Sequence, residues 1–309
     1  MAKTQWRAID GVVLLNKPLG LSSNQALQRV RRLFRAAKAG HTGALDPLAS
    51  GMLPLCLGEA TKFSQFLLDA DKRYLTRIEL GVRTTTGDKE GEILTQEPVP
   101  QLSDDELEQL LERFRGEIEQ VPPMYSALKH EGKPLYEYAR QGITIERKRR
   151  QVTIRNLQVI ERTENTLTLD ITCSKGTYIR TIGEDIGEAL GCGAHLDMLH
   201  RIATAGYDSK DMMTLEQFEQ LAEQGEAVLD QQLLPVDSAV AYLPDYQLSD
   251  QEAEHLVFGR LIPVTGESDN GQLLRLFRQS DGFFLGLGEI KKGKIKPFRL
   301  VNTSELARK

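Results

Sequence analysis

Gly40-His-Thr-Gly-Ala-Leu-Asp-Pro-Leu-Ala-Ser-Gly51 places three glycines and one proline within twelve residues. Glycine opens backbone conformations closed to other residues, and proline fixes one dihedral, so the stretch predicts a shaped loop rather than a helix or a strand. It presents one carboxylate, Asp46, between Leu45 and Pro47. A carboxylate with apolar neighbours is costly to desolvate unless a cation pairs with it. Two readings stand at this point: a turn aspartate that bonds its own backbone, or a nucleophile or base at the centre of a site.

Outward from this loop, strands and helices alternate without a repeat. Residues 11–15 read as a short buried strand closed by the turn Asn16-Lys-Pro-Leu-Gly20. Ser22 or Ser23 can cap a helix over 24–38, with Leu27, Val30 and Phe34 at helical spacing and Arg29, Arg31, Arg32, Arg35 and Lys38 making it basic. Residues 74–80 read as a strand. Ser103-Asp-Asp-Glu106 is a capping box ahead of Leu107, Leu110, Leu111 and Phe114. Val121-Pro-Pro-Met-Tyr-Ser126 breaks the pattern, and 152–160 and 167–173 read as strands. Gly176 leads into a helix carrying Ile179, Ile182, Ile186 and Leu190, and Thr214-x-x-Gln217 is a second capping box. After Pro244 short strands dominate, with Asp281-Gly282 as a hairpin turn. No βαβ repeat is present, so the predicted class is α+β. The expected division is a body over 1–246 and a small β-rich domain over 247–309.

The chain has 309 residues, 40% of them hydrophobic and 27% charged. That composition supports one large core with a small one beside it and excludes intrinsic disorder and collagen. Three cysteines, far apart and with no C-x-x-C, exclude a disulfide framework and suit a reducing cytosol. No apolar run approaches the roughly 20 residues that span a bilayer, so the expected location is the cytoplasm. There is no G-x-x-x-x-G-K-[ST], no complete G-x-G-x-x-G, no H-E-x-x-H and no G-x-S-x-G, and the five histidines lack metal-ligand spacing. Neither a metal nor a nucleotide cofactor is expected.

The formal net charge of −5 argues at first against a nucleic-acid partner. It is unevenly placed. Residues 1–80 hold 12 Lys/Arg against 6 Asp/Glu, 125–163 hold 9 against 4, and 255–309 hold 10 against 5. Residues 184–254 hold 2 against 16. Phosphate contacts need clustered cations rather than a positive total, so three basic segments point to a polyanion. The acidic stretch is expected to face away from it.

The loop motif resembles the active-site motif of the TruB family, the bacterial tRNA pseudouridine-55 synthases. The resemblance continues in order through Gly11-Val-Val-Leu-Leu-Asn-Lys-Pro18, Gly58-Glu-Ala-Thr-Lys62, Lys72-Arg-Tyr74, Pro123-Met-Tyr-Ser-Ala-Leu-Lys129, Leu135-Tyr-Glu-Tyr-Ala-Arg140, Cys173-Ser-Lys-Gly-Thr-Tyr-Ile-Arg180 and Gly191-Cys-Gly-Ala-His195. It covers roughly residues 1–240, and the tail is similar to the small RNA-binding (PUA-like) domain this family carries. The implied fold is a mixed, mainly antiparallel central sheet with flanking helices. The implied reaction converts one T-loop uridine of tRNA to pseudouridine without a cofactor. The N-glycosidic bond breaks, the base turns, and C5 joins the ribose C1′.

By this resemblance Asp46 is the catalytic aspartate, either attacking C1′ or abstracting a 2′ proton to give a glycal. Arg180 is its pairing arginine, Tyr74 stacks on the target base and takes the C5 proton, and Tyr178 and Leu199 line the uracil pocket. His41 enters the space left by the flipped base. Lys17 and Lys62 are basic positions near the pocket, and Asp88 is an orienting carboxylate. The helix over 24–38 and Arg147-Lys-Arg-Arg150 suit RNA phosphates, and Lys291, Lys292, Lys294, Lys296 and Arg299 suit the acceptor stem. The chain departs from the family pattern at Ser50, where threonine is frequent, and at Thr85, where aspartate is usual. The implied partner is the tRNA T-arm, with no membrane, no protein partner and a monomeric chain. Two competing readings remain, a tRNA-binding and tRNA-folding protein without chemistry and, more remotely, a small-molecule hydrolase using Asp46.

Overall fold

The computed structural model describes residues 5–264 and 269–302, so the outermost residues of both expected domains lie outside it. The strands of the body are β1 (Gly11–Lys17), β2 (Ala39–His41), β3 (Ala49–Leu57), β4 (Lys72–Leu80), β5 (Val82–Thr84), β6 (Ile93–Gln96) and β7 (Gly116–Gln120). They continue with β8 (Lys129–His130), β9 (Lys133–Pro134), β10 (Arg150–Arg162), β11 (Thr166–Cys173), β12 (Ala194–Thr204) and β13 (Tyr207–Asp208). Among them run helices α1 (Ser23–Leu33), α2 (Ser64–Asp69), α3 (Asp104–Leu111) and α4 (Leu135–Ala139). Helices α5 (Ile179–Leu190), α6 (Leu215–Glu223) and α7 (Glu226–Asp230) complete the body.

One sheet, in the order β1-β3-β12-β4-β11-β10-β7, organises these elements, with β2 on β3 and β13 on β12. Its pairings are antiparallel except β12 with β3, which sets Leu199 beside Ala49 and Arg201 beside Gly51. The fold is therefore α+β with a mainly antiparallel sheet, as the sequence predicts. β3 is apolar at nearly every position because both its faces are covered, whereas β4 turns Lys72, Tyr74, Thr76 and Ile78 inward and Arg73 and Arg77 outward. Helices α1, α3, α5 and α6 cover one face. On the other, Val12, Leu14, Met52 and Cys56 meet Phe63 and Leu67 and, from the tail, Leu287 and Val301.

Capping boxes start α1 at Ser22, α3 at Ser103 and α6 at Thr214, so the orphan amides of each first turn are satisfied locally. The first helix is shorter than the expected 24–38. It ends at Leu33, and Arg35 takes a left-handed φ of 49° that turns the chain toward β2. The expected loop over 40–51 is shorter too, because both its ends are drawn into strands against neighbouring backbone.

Glycine lets α5 lie directly on the sheet. A Cβ at Gly183 would sit 2.9 Å from Ile78 Cγ2, and one at Gly187 would sit 2.2 Å from the Ala194 amide nitrogen. The two are one turn apart on the same face. The tail forms a second sheet, with β14 (Asp245–Leu248), helix α8 (Asp250–Val257), β15 (Ile262–Pro263), β16 (Leu273–Arg278), β17 (Phe284–Lys291) and β18 (Lys294–Leu300). Gln247 thus falls inside its first strand, and Asp281-Gly282 joins β16 to β17 with Gly282 at φ 69°.

The acidic residues of 184–254 are spread over several elements, and several of them pair with basic side chains. Glu226 and Asp230 pair with Arg7, Glu226 with Arg35, Asp197 with Arg77 and Lys89, and Asp237 with Arg275. The stretch also contains β12, which crosses the middle of the sheet.

Gly187→Ala should gain about 1 kcal/mol in helix propensity yet lose on balance ~2 kcal/mol, because the methyl overlaps backbone that cannot retreat. Urea unfolding at constant m-value measures this, and a neutral or stabilised variant would contradict the close packing.

Candidate active site

The loop bearing Asp46 is held from three sides. Ser23 Oγ accepts from the Leu45 amide at 2.7 Å and donates to the Leu45 carbonyl at 3.0 Å. The Gly20 amide donates to the Pro47 carbonyl at 2.8 Å. Arg201 Nη2 donates to the Gly43 carbonyl at 3.0 Å, and its Nε to the Met52 carbonyl at 2.6 Å. Gly43 and Gly51 both adopt φ 99°, and a Cβ at Gly51 would lie 2.3 Å from the Arg201 carbonyl oxygen. The loop conformation is thus written by its glycines and by the strand beside it.

Its carboxylate meets Arg180, whose Nη2 lies 2.9 Å from Asp46 Oδ2. Arg180 is the second residue of α5, and the helix start is pinned where Gln120 bonds both the amide and the carbonyl of Tyr178, at 2.9 and 3.0 Å. The guanidinium also donates to the Tyr125 carbonyl at 2.6 Å and the Thr86 carbonyl at 3.1 Å, and it lies 3.3 Å from Asp88 Oδ2. Asp88 is fixed in turn by Thr86 Oγ1 at 2.6 Å and the Glu90 amide at 3.1 Å. The side chains of Arg180 and Asp88 are 6% and 4% exposed, but that of Asp46 is 46% exposed. Two members of the triad are structural by burial, and the third reaches solvent.

Asp46 and Arg180 stand on the wall shared by two cavities. The smaller, about 300 Å³, is lined by Lys72, Tyr74, Tyr178, Leu199 and Arg201. The other, about 560 Å³, is lined by His41, Asp88, Tyr125, Tyr136 and Arg140. A broader groove of about 1000 Å³ lies behind Lys72; of its carboxylates, Asp69 and Asp71 are paired with Lys175 and Arg155, and Asp208 accepts from the Lys210 amide.

The site is rich in cations. Burial lowers Lys17 to about 8, with Asp46 opposing the shift and Arg201 adding to it. Burial and then Arg201 lower Lys72 to about 8. Burial, helped by Arg201, also lowers His41, so its ring is neutral near pH 7. Burial raises the phenols of Tyr74 and Tyr178, and the neighbouring Arg201 and a Ser126 hydrogen bond respectively act against it. Both are phenols rather than phenolates at neutral pH.

Seven of the nine residues expected here border one of the two cavities: Asp46, Tyr74, Arg180, Tyr178, Leu199, His41 and Asp88. Lys17 is fully buried beneath them. Its ammonium holds the Pro18 and Leu21 carbonyls at 2.8 and 2.6 Å, bracing the turn that touches Pro47. Lys62 lies elsewhere, on the seam with the tail, bonded to Glu59 at 2.7 Å and to the Leu300 carbonyl at 3.1 Å. The basic run 147–150 also divides. Arg147 is tied to the Ile145 and Pro122 carbonyls, Arg149 is exposed, and Arg150 lies 5.8 Å from the Tyr178 ring centroid.

Sequence reasoning missed Gln120, Lys72 and Arg201. The strand pattern marks each as inward-facing, and an inward charge is the signal that could have found the last two. Neither departure from the family pattern reaches the triad. Thr85 is exposed and accepts from the Glu92 amide at 3.1 Å, and Ser50 Oγ lies 2.8 Å from His200 Nδ1.

Removing Arg180 leaves Asp88 buried without its cation, a loss of about 3–5 kcal/mol. Arg180→Met should cost that much in urea unfolding, and Asp88→Asn added to it should restore part. A double variant no more stable than Arg180→Met would contradict the pairing.

Comparison with known proteins follows the same lines. Residues 31–179 match the model for the TruB family pseudouridylate synthase N-terminal domain, and residues 180–241 that for the tRNA pseudouridylate synthase B C-terminal domain. Residues 244–301 match the model for the pseudouridine synthase II TruB C-terminus. A tRNA pseudouridine synthase B of Marinomonas sp. (strain MWYL1) is 67% identical, covering 99% of this chain and 100% of its own. One of Haemophilus influenzae (strain 86-028NP) is 52% identical, covering 98% of each. Among solved structures, a chain of a Cbf5-Nop10-Gar1 complex superposes with a TM-score of 0.73 at 25% identity, over 94% of this chain and 84% of that one. The chain therefore belongs to the TruB family of pseudouridylate synthases.

Proposed function

We propose that the protein isomerises one uridine in the T-loop of tRNA to pseudouridine. The observation that carries this reading is the half-exposed Asp46 carboxylate, set against a buried arginine on the wall of a cavity of about 300 Å³. A base stacked inside a folded loop must be flipped out to reach such a cavity. Tyr74, Tyr178 and Leu199 then line the slot for the flipped ring. Asp46 reaches the sugar, acting at C1′ or on the 2′ proton, while the N1–C1′ bond breaks. The base turns within the slot, C5 bonds to C1′, and the Tyr74 phenol takes the C5 proton as it passes its own hydroxyl proton to solvent, from which N1 takes one. Every heavy atom of the base is kept and one proton is lost for one gained, so no co-reactant is needed.

The neutral His41 ring, in the adjoining cavity, suits the space that the base leaves in the T-loop. Arg29, Arg32 and Arg149 face solvent and hold phosphates without reading sequence. The body of about 246 residues does the chemistry, and the small tail sheet, with Lys291, Lys292, Lys294, Lys296 and Arg299, grips RNA beyond the T-arm. We take the working unit to be one chain in the cytoplasm.

Carbodiimide mapping of an unmodified tRNA transcript tests this. Wild-type protein should create one new pseudouridine, at the T-loop uridine, while Asp46→Asn binds the transcript and creates none. Products scattered through other arms, or binding without any conversion by the wild type, would refute the reading. The latter would favour the RNA-folding alternative.

A further inference from the structure

Arg201 is the largest fully buried side chain described, at 1% exposed. A guanidinium does not give up its charge in a protein, and among the described residues Arg201 forms no salt bridge with a carboxylate. Its acceptors are instead parts of the site. Nε takes the Met52 carbonyl at 2.6 Å and Nη2 takes the Gly43 carbonyl at 3.0 Å, so the arginine grips the Asp46 loop and the strand leaving it. Tyr74 stands directly opposite it on β4, and both side chains line the smaller cavity. The backbone around it is built for this contact. Gly51 lies beside Arg201 in the parallel register, and any side chain there would strike the Arg201 backbone.

We propose that Arg201 is a positioning residue for the isomerisation, setting the distance between the Asp46 loop and the Tyr74 phenol across the base slot. The inference rests on the function proposed above. Among the described residues no hydrogen bond joins the Asp46 loop directly to the Tyr74 phenol, and Arg201 is the side chain that grips the loop from the position opposite Tyr74. A single rigid guanidinium is bonded to the loop and stands across the sheet from the phenol. Without it the loop keeps its attachments at Ser23 and Gly20, so RNA still binds, but the two reacting groups lose their common frame.

The test is single-turnover conversion of tRNA with enzyme in excess, beside tRNA affinity and thermal midpoint. Arg201→Lys keeps a buried cation but not the fork, and Arg201→Met keeps neither. Small misplacements of reacting groups cost about 100-fold in rate. Arg201→Met should therefore slow conversion about 100-fold, with tRNA affinity within about threefold of wild type. Arg201→Lys should fall between the two. Should Arg201→Met fail to fold, Arg201→Lys alone decides, with a slowed rate at unchanged affinity expected. A wild-type rate in either variant, or an affinity loss as large as the rate loss, overturns the proposal. Failure of the wild type to convert any uridine would instead strike the functional reading itself.

Discussion

A guanidinium buried between two carboxylates governs this site. Arg180 draws three distant pieces of chain to one point: the start of α5, the turn carrying Asp88 and the loop carrying Asp46. Because one carboxylate is buried and the other is half exposed, the arginine has two duties. Toward Asp88 it neutralises a charge the interior could not otherwise hold. Toward Asp46 it offers one edge of its fork, leaving the rest of that carboxylate to the cavity. The remaining architecture follows from aiming Arg180 correctly. Gln120 pins the first residues of the helix, and glycines at 183 and 187 press the helix onto β4 and β12.

The charge of the molecule follows the same local logic. A net −5 describes the whole chain, whereas the site gathers Lys17, Lys72, Arg180 and Arg201 around Asp46 and Asp88. Lys17, Lys72 and Arg201 donate to backbone carbonyls and form no salt bridge among the described residues, which leaves the cavity positive without making it a set of ion pairs. A slot of that sign suits a ligand that brings its own phosphates. The acidic residues of 184–254 neutralise arginines elsewhere, so the total says little about the part that matters.

Much of this was legible beforehand. Ser22, Ser103 and Thr214 mark helix starts because capping is local chemistry within four residues. The isoleucines at 179, 182 and 186 mark the buried face of α5 for the same reason. Asp46 stood out because proline and glycine surround it, and its role came from resemblance, not spacing. What stayed hidden depends on contacts distant in sequence. Lys62, expected near the pocket, is held instead at the seam where the tail folds back and offers the Leu300 carbonyl. Arg201 carries no local signal of its place, because the parallel pairing of β12 with β3 is what brings Gly43 and Met52 to it. The first helix stopped short of Lys38 because the left-handed turn at Arg35 is set by the docking of β2, which no local pattern encodes.

We propose that the half-exposed Asp46 carboxylate performs the chemistry and the rest of the site aims it. The most direct measurement is tritium release from T-arm RNA labelled at uridine C5, followed with wild-type protein and with Asp46→Asn in excess over RNA. Wild type should release the label to water in step with conversion, and Asp46→Asn should release none while binding the RNA. Release by Asp46→Asn at the wild-type rate would contradict the account.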